Sequence, residues 1–157
     1  MIGIGGTGYK VLRDFRKRLW GEQPDIRKRH SLPVRFLYID SDELNKPENI
    51  AGNPDLRVNG QDTAITPDEY LNIKNVNLNS VFDNLGGYPR LRHVVGNGAF
   101  IRSCMGEVGA AAGQKRRAGR ILFANNAHTY INKIHNIVQE LSETVGNAKD
   151  LNIYIFA

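Results

Sequence analysis

The first eight residues carry a glycine pattern that proteins use to bind phosphate. Gly3-Ile4-Gly5-Gly6-Thr7-Gly8 fits G-x-G-x-x-G, with an apolar strand pattern before it and a helical pattern after it. Backbone N–H groups at the start of such a helix bind phosphate, helped by the helix dipole. Glycine lets a phosphate approach the backbone and allows positive φ. The turn at residues 5–8 therefore predicts a phosphate or dinucleotide site, with a purely structural turn as the alternative. It is not a Walker loop, because no Gly-Lys-Ser/Thr follows it.

Two aspartates come at the end of the second predicted strand. Asp40 and Asp42 follow the buried-strand pattern of residues 34–39, and in a parallel sheet that strand end lies beside the first glycine turn. Carboxylates in this place hold a ribose hydroxyl, or a magnesium ion through water. Aspartates also cap turns frequently, so the sequence leaves a capping role open.

A second glycine-rich stretch, residues 106–114, precedes a long helical pattern. Its small residues lead to a basic helix start with Gln114, Lys115, Arg116 and Arg117. By the reasoning applied to the first turn, this loop also suits a phosphate. Two such loops on neighbouring strands would close around one polyphosphate, whereas a linker before a solvated basic helix is the structural alternative.

The order of the predicted elements places these motifs on one sheet. A strand at residues 2–4, a helix ended by Gly21 and Pro24, and a strand over residues 34–39 form a β-α-β unit. This order implies parallel strands and a right-handed crossover. The expected fold class is α/β, with a parallel, Rossmann-like sheet flanked by helices.

Three further elements are predicted from spacing. Residues 67–85 suit a helix with Thr66 as its cap and Pro67 at its first position. An apolar stripe from Phe123 to Val145 indicates a long helix that stops at Gly146. Residues 151–157 then form the next strand.

Length and composition indicate one domain spanning residues 1–157, with 41% hydrophobic and 24% charged residues. A single cysteine, Cys104, excludes an internal disulfide framework and a multi-cysteine zinc site. The sequence contains neither a run of about 18 apolar residues nor a signal-peptide pattern at its first residues. We therefore expect a cytoplasmic protein without a membrane partner.

The charge distribution alternates along the chain. Residues 10–35 hold nine basic and three acidic residues, residues 40–69 hold two basic and eight acidic, and residues 90–120 hold seven basic and one acidic. The net charge of +5 attracts polyanions, either nucleic acid or the phosphates of a nucleotide. Aromatic residues do not interleave with the basic ones as a base-stacking platform requires, so a nucleic-acid partner is not expected.

Three motifs, in order, resemble the N-terminal nucleotide-binding part of the tubulin/FtsZ superfamily, and especially its bacterial tubulin-like branch. Residues 2–8 are similar to the first phosphate loop of that family, and residues 36–44 to its strand that ends in Asn/Asp-Thr-Asp. Residues 113–120 match the spacing of a later phosphate loop and helix start, Gly-Ala-Gly-x-x-x-x-x-Gly-Arg. The resemblance spans nearly the whole chain, although residues 45–105 match by position only.

The resemblance implies a GTP- or GDP-binding site with Mg²⁺ across the C-terminal edge of the sheet. The residues implied to contact phosphates are Gly5, Gly6, Thr7 and Gly8. Asp40 and Asp42 would lie near the γ-phosphate and the magnesium ion, with Asp42 reaching the metal through water. A second phosphate wall would consist of Ala111, Ala112, Gly113 and Gln114. For Gly119 and Arg120, helix packing and an end charge are favoured over ligand contact.

The family also implies a cytoskeletal GTPase that self-associates into protofilaments and couples hydrolysis to assembly. Its signature loop, its central helix and the acidic loop contributed by a neighbouring subunit are not found in residues 1–157. We therefore expect an incomplete nucleotide-binding domain that does not hydrolyse GTP by itself.

Two other functions remain open from the sequence. A Rossmann-type enzyme domain that binds NAD or ATP uses the same first glycine motif. However, Asp40 comes 32 residues after Gly8, where the dinucleotide fingerprint places its acid about 20 residues on, and this function leaves the second glycine loop unexplained. A nucleic-acid-binding module that uses the two basic segments is the third possibility.

Overall fold

A computed structural model describes most of the chain. The described residues are 1–29, 31–42, 57–58, 61–74, 76–105, 112, 116–146 and 150–157. The predicted contacts of Ala111, Gly113 and Gln114 lie outside these residues.

Six strands and seven helices make up this part of the chain. The strands are β1 (Ile2–Ile4), β2 (Leu37–Asp40), β3 (Arg57–Val58), β4 (Gln61–Asp62), β5 (Tyr70–Asn72) and β6 (Ile155–Phe156). The helices are α1 (Gly5–Glu22), α2 (Ile26–Arg29), α3 (Leu78–Asp83), α4 (Arg92–Val95), α5 (Gly98–Met105), α6 (Arg116–Asn125) and α7 (Ala127–Val145). Short 3-10 helices cover Pro67–Glu69, Leu85–Gly87 and Pro89–Leu91.

The main sheet has four parallel strands in the order β5-β2-β1-β6. Ile2 of β1 pairs with Leu37 on one side and with Ile155 on the other, and Tyr38 of β2 pairs with Tyr70 of β5. The strands β3 and β4 form a separate antiparallel pair. The predicted α/β class with a parallel sheet is therefore confirmed.

Helices cover both faces of this sheet. On one face, Tyr9 and Leu12 of α1 pack with Tyr38 and Ile65. On the other face, Leu37 and Ile39 pack against buried residues of α3, α4 and α6, namely Leu78, Val81, Phe82, Val95, Ala118, Ile121 and Leu122. Successive strand residues point to opposite faces, and the burial of both faces of β2 is typical of a parallel sheet between two helical layers.

The first glycines belong to α1 rather than to a separate turn. The helix begins directly at Gly5, whose φ of 68° is positive, while Gly6 and Gly8 have no positive φ. The predicted turn over residues 5–8 is therefore wrong as a structural element. The chain turns at Gly5 alone, and its next residues already lie in the first helical turn.

The helix predicted over residues 67–85 is also wrong. Pro67–Glu69 forms a single 3-10 turn, in which the Thr66 N–H donates to the Glu69 carboxylate at 2.9 Å. The chain then extends into β5 and pairs with β2, and α3 begins only at Leu78. The capping signal at Thr66 is real, but pairing in the sheet overrides the local helical preference after one turn.

The predicted long helix is interrupted at Asn126. This residue is buried between α6 and α7, and its side-chain amide donates to the Leu122 carbonyl at 2.7 Å and to the Ile73 carbonyl at 3.0 Å. The second bond ties the end of α6 to the backbone just after β5. Gly146 ends α7 with a φ of 64°, as predicted.

The second and the last strands of the main sheet are shorter than the sequence predicts. The second strand covers Leu37–Asp40 rather than residues 34–39, and the last one covers Ile155–Phe156 rather than residues 151–157. Among the helices of the described residues, none is both long enough and apolar enough to span a membrane.

Candidate functional site

A cleft of about 830 Å³ opens at the C-terminal edge of the parallel sheet. The ends of β1, β2 and β6, the residue after β5, Ala112 and one side of α6 form its walls. The lining residues are Ile4, Gly5, Gly6, Ile39, Asp40, Ser41, Asp42, Ile73, Ala112, Arg116, Gly119, Arg120, Phe123 and Ala157. This edge is where open α/β sheets bind their ligands, and the volume suits a small-molecule site.

The start of α1 forms one wall of the cleft. Ile4 precedes the helix without a side-chain cap, and the first turn contains no acidic residue. The first N–H groups of a helix have no partner within the helix, so they can donate to an anion. A Cβ added to Gly6 meets no atom within 4 Å, which means that open space lies beside this part of the turn.

Thr7 and Gly8 do not line the cleft. Thr7 is exposed, whereas Gly8 is buried against the sheet. A Cβ at Gly8 would lie 2.5 Å from the Phe156 carbonyl oxygen and 2.8 Å from Cα of Gly3. The last glycine of the motif therefore serves close packing of α1 on β1 and β6.

Asp40 organises the backbone that follows β2. Its carboxylate is buried and accepts hydrogen bonds from the N–H groups of Ser41 at 2.7 Å and of Asp42 at 3.0 Å. The hydroxyl of Tyr38 donates to the other carboxylate oxygen. Burial, and then this hydrogen bond to Asp40, raise the pKa of Tyr38 far above its usual range. The capping role that the sequence left open is present at Asp40.

Asp42 is the aspartate that fits magnesium. It is half-buried and lines the cleft, and its backbone carbonyl accepts a hydrogen bond from the Tyr70 hydroxyl at 3.3 Å. Within the described residues, no group of three His, Cys, Asp or Glu side chains is arranged to hold a metal. A single carboxylate at the edge of a cleft is a group that could hold Mg²⁺, which keeps several waters and is commonly held by one or two carboxylates together with substrate phosphates.

Ser41 joins the second glycine loop to the sheet. Its buried hydroxyl accepts a hydrogen bond from the Ala112 N–H at 3.1 Å. Ala112 therefore lies against the end of β2 and lines the same cleft as Gly5 and Gly6. Ala112, the one described residue of the second glycine-rich stretch, thus lines the same cavity as the first glycines, and closure of the two loops around one ligand stays a prediction. The sequence contained no signal for the role of Ser41.

Removing the Ser41 hydroxyl is expected to loosen the second loop. In Ser41→Ala the Ala112 N–H loses its acceptor, so we expect the free energy of unfolding to fall by about 1 kcal/mol. Urea unfolding followed by circular dichroism measures this change. Ser142→Ala is the control, because the exposed Ser142 hydroxyl donates only to the Gln139 carbonyl within its own helix. Equal stability of the two variants would contradict the tethering role.

The wall of the cleft formed by α6 includes residues that were expected to serve helix packing. Gly119 and Arg120, for which helix packing was favoured, both line the cleft, as do Arg116 and Phe123. The spacing i, i+3, i+4, i+7 marks one helix face, and this signal was available from the sequence. What the sequence could not show was that this face points to the cleft.

The cleft combines groups suited to a phosphorylated ligand. Backbone donors at the start of α1 and the guanidinium groups of α6 can bind anionic oxygens. The carboxylate of Asp42 suits a hydrated cation, and Ile4, Ile39, Ile73 and Phe123 supply apolar surface.

Comparison with known proteins shows a family match. Residues 1–156 match the family described as tubulin-like, so the match includes every lining residue of the cleft except Ala157. No curated protein and no solved structure matches the chain.

Proposed function

This chain belongs to the tubulin-like family, and we propose that the cleft at its sheet edge binds GTP as a magnesium complex. The observation that carries the proposal is the convergence of Gly6, Asp42 and Ala112 on one cavity. These residues come from three motifs that are far apart in sequence, and a shared ligand accounts for their convergence.

The groups in the cleft suggest how the nucleotide lies. Its phosphates face the uncapped start of α1, where N–H groups and the helix dipole stabilise negative charge. Asp42 would hold the magnesium ion through water, and the ion would supply positive charge to the phosphates. The proposed preference for guanine rests on family membership, since none of the described residues that line the cleft identifies a base.

The family also supports a role in assembly. We propose that the nucleotide-bound form self-associates into filaments and that the complete protein couples GTP hydrolysis to that assembly. Catalysis would then be positional and electrostatic, with loop amides and magnesium stabilising the charge on the transferred phosphate.

A Rossmann-type NAD or ATP enzyme is the competing function. Such a domain needs only the first glycine turn at its ligand. The contact between Ser41 and Ala112, which brings the second loop to the same cleft, supports a tubulin-like polyphosphate site over this alternative.

Calorimetric titration tests the proposal. We expect GTP to bind in magnesium buffer at least about tenfold more tightly than ATP, a difference of about 1.4 kcal/mol, and NAD not to bind. Chelating the magnesium should weaken GTP binding, and Asp42→Asn should reduce that magnesium dependence. Asp25→Asn is the matched control, because Asp25 is exposed and does not line the cleft.

The outcomes separate the candidates. Binding of NAD without GTP would establish the Rossmann-type function instead, and equal binding of GTP and ATP would remove the guanine preference. Sedimentation and light scattering with and without GTP measure assembly. If this chain stays monomeric at saturating GTP, the proposal that it self-associates is contradicted.

A further inference from the structure

One face of α6 is turned entirely toward the cleft. Arg116, Gly119, Arg120 and Phe123 all line it, and a helix that turns by about 100° per residue places these four positions in one stripe. The opposite face is buried in the core and consists of Ala118, Ile121 and Leu122. Core packing therefore fixes the rotation of α6, and the two arginines face the cavity as a consequence.

The two guanidinium groups are available to a ligand. Both arginines are exposed, and among the described residues neither makes a hydrogen bond or an ion pair. Side chains at i and i+4 start about 6 Å apart on the same side of a helix. Gly119 adjoins them in the stripe, and a Cβ added to it would lie 3.8 Å from the Ala112 Cβ, so Ala112 borders this part of the cleft.

The cleft also contains two acidic residues. Asp40 and Asp42 both line it, and their carboxylates repel a polyanion. Each additional phosphate group increases that repulsion unless a cation faces it. Arginine suits this role because its planar fork binds phosphate oxygens in bidentate fashion and keeps its charge.

We propose that Arg116 and Arg120 form a clamp for the phosphate chain of the ligand, and that this clamp makes the cleft prefer a triphosphate to a diphosphate. The inference rests on the proposed nucleotide function and adds the residues that distinguish a triphosphate from a diphosphate. Without the pair, the magnesium ion proposed at Asp42 is the cation that faces the third phosphate. With the pair, the third phosphate also gains charge-assisted hydrogen bonds from two guanidinium groups.

Charge-removing variants test the clamp. Arg116→Ala and Arg120→Ala are each expected to weaken binding of GTP and of inorganic tripolyphosphate by about tenfold or more, the effect of losing a charge-assisted hydrogen bond. Binding of GDP and pyrophosphate should weaken less, so the preference for the triphosphate falls. Arg116→Lys and Arg120→Lys should restore part of the affinity, because they keep the charge but lose the fork.

Arg117→Ala is the matched control. Arg117 is an exposed arginine in the same helical turn, but it lies about 100° around the helix from Arg116 and does not line the cleft. This variant should bind GTP and tripolyphosphate within about twofold of the unaltered chain, since only a distant charge is lost. Thermal unfolding curves show whether the variants keep the fold.

The phosphate probes distinguish failure of the clamp from failure of the nucleotide function. If GTP does not bind but tripolyphosphate binds in a way that depends on Arg116 and Arg120, the clamp stands and the nucleotide function falls. If GTP binds and all three arginine variants behave alike, the clamp is overturned and the nucleotide function stands. If neither GTP nor tripolyphosphate binds the unaltered chain, both are overturned.

Discussion

Gly8→Ala is expected to lower the free energy of unfolding by about 3 kcal/mol or more. An added Cβ would lie 2.5 Å from the Phe156 carbonyl oxygen and 2.8 Å from Cα and the carbonyl carbon of Gly3. These atoms are backbone of β6 and β1, which pair with each other in the sheet. Overpacking a core already costs about 1–3 kcal/mol when side chains can adjust, and here the helix or a strand must move instead.

Gly6→Ala is the matched control within the same motif. Its Cβ meets no atom within 4 Å and its φ is not positive, so the stability should stay the same or rise by up to about 1 kcal/mol because alanine favours the helix. Urea unfolding of both variants gives the comparison. A Gly8→Ala protein as stable as Gly6→Ala would show that α1 does not pack on β1 and β6 at this distance.

The variants at Gly6 and Gly8 should also differ in how they affect ligand binding. Gly6 lines the cleft, so the methyl group of Gly6→Ala takes space next to the N–H groups that face the ligand. We therefore expect Gly6→Ala to be folded but weaker in GTP binding. Within residues 3–8, Gly5 and Gly6 thus line the cleft, whereas Gly3 and Gly8 allow the close packing of α1 on the sheet.

The parts of the fold that could be predicted depend on residues close in sequence. The strand Ile2–Ile4, the helix after it and the next strand follow one another within 40 residues, and a β-α-β unit has one favoured handedness. The ends of these strands hold Gly5, Gly6, Asp40 and Asp42, and a parallel sheet brings its strand ends to one edge. The position of these four residues at one edge of the sheet therefore followed from the local pattern.

The parts that were missed depend on contacts between distant residues. The strand Tyr70–Asn72 exists because it pairs with β2, more than 30 residues earlier, and its own sequence carries a helix-start signal at Thr66. Asn126 ends α6 because its amide reaches the Ile73 carbonyl. Arg116 and Arg120 face the cleft because the opposite side of α6 is packed in the core through Ala118, Ile121 and Leu122. The helical spacing shows that these residues share a face, but it does not show which neighbour that face contacts.

Glu69→Ala is expected to lower the free energy of unfolding by about 3 kcal/mol, because it leaves a buried charge without its partner. Arg16 is only 1% exposed. Its guanidinium donates to the Ala64 carbonyl at 2.7 Å, pairs with the Glu69 carboxylate, and lies 4.4 Å from the ring centre of Phe36. The sequence counts Arg16 with a basic segment, but the structure uses it to join α1 to the chain before β5.

The exposed pair on the same helix is the control. The Nη2 atom of Arg13 lies 3.0 Å from Oδ1 of Asp14, and the two side chains are 32% and 62% exposed. Asp14→Ala should therefore change the stability by less than about 1 kcal/mol, because a solvent-exposed ion pair gains little. Urea unfolding of both variants measures the difference. If Glu69→Ala and Asp14→Ala lower the free energy of unfolding equally, Arg16 reaches water when Glu69 is absent.

A double variant separates the charge from the rest of the Glu69 contacts. Arg16→Met removes the buried charge and keeps an apolar side chain against Phe36, so Arg16→Met/Glu69→Ala should be more stable than Glu69→Ala alone by about 1 kcal/mol or more. Glu69 also accepts the Thr66 N–H, and the double variant does not restore that bond. Arg16→Met also loses the hydrogen bond to the Ala64 carbonyl. If the double variant is no more stable than Glu69→Ala, the unpaired charge of Arg16 costs no more than the contacts that Arg16→Met removes.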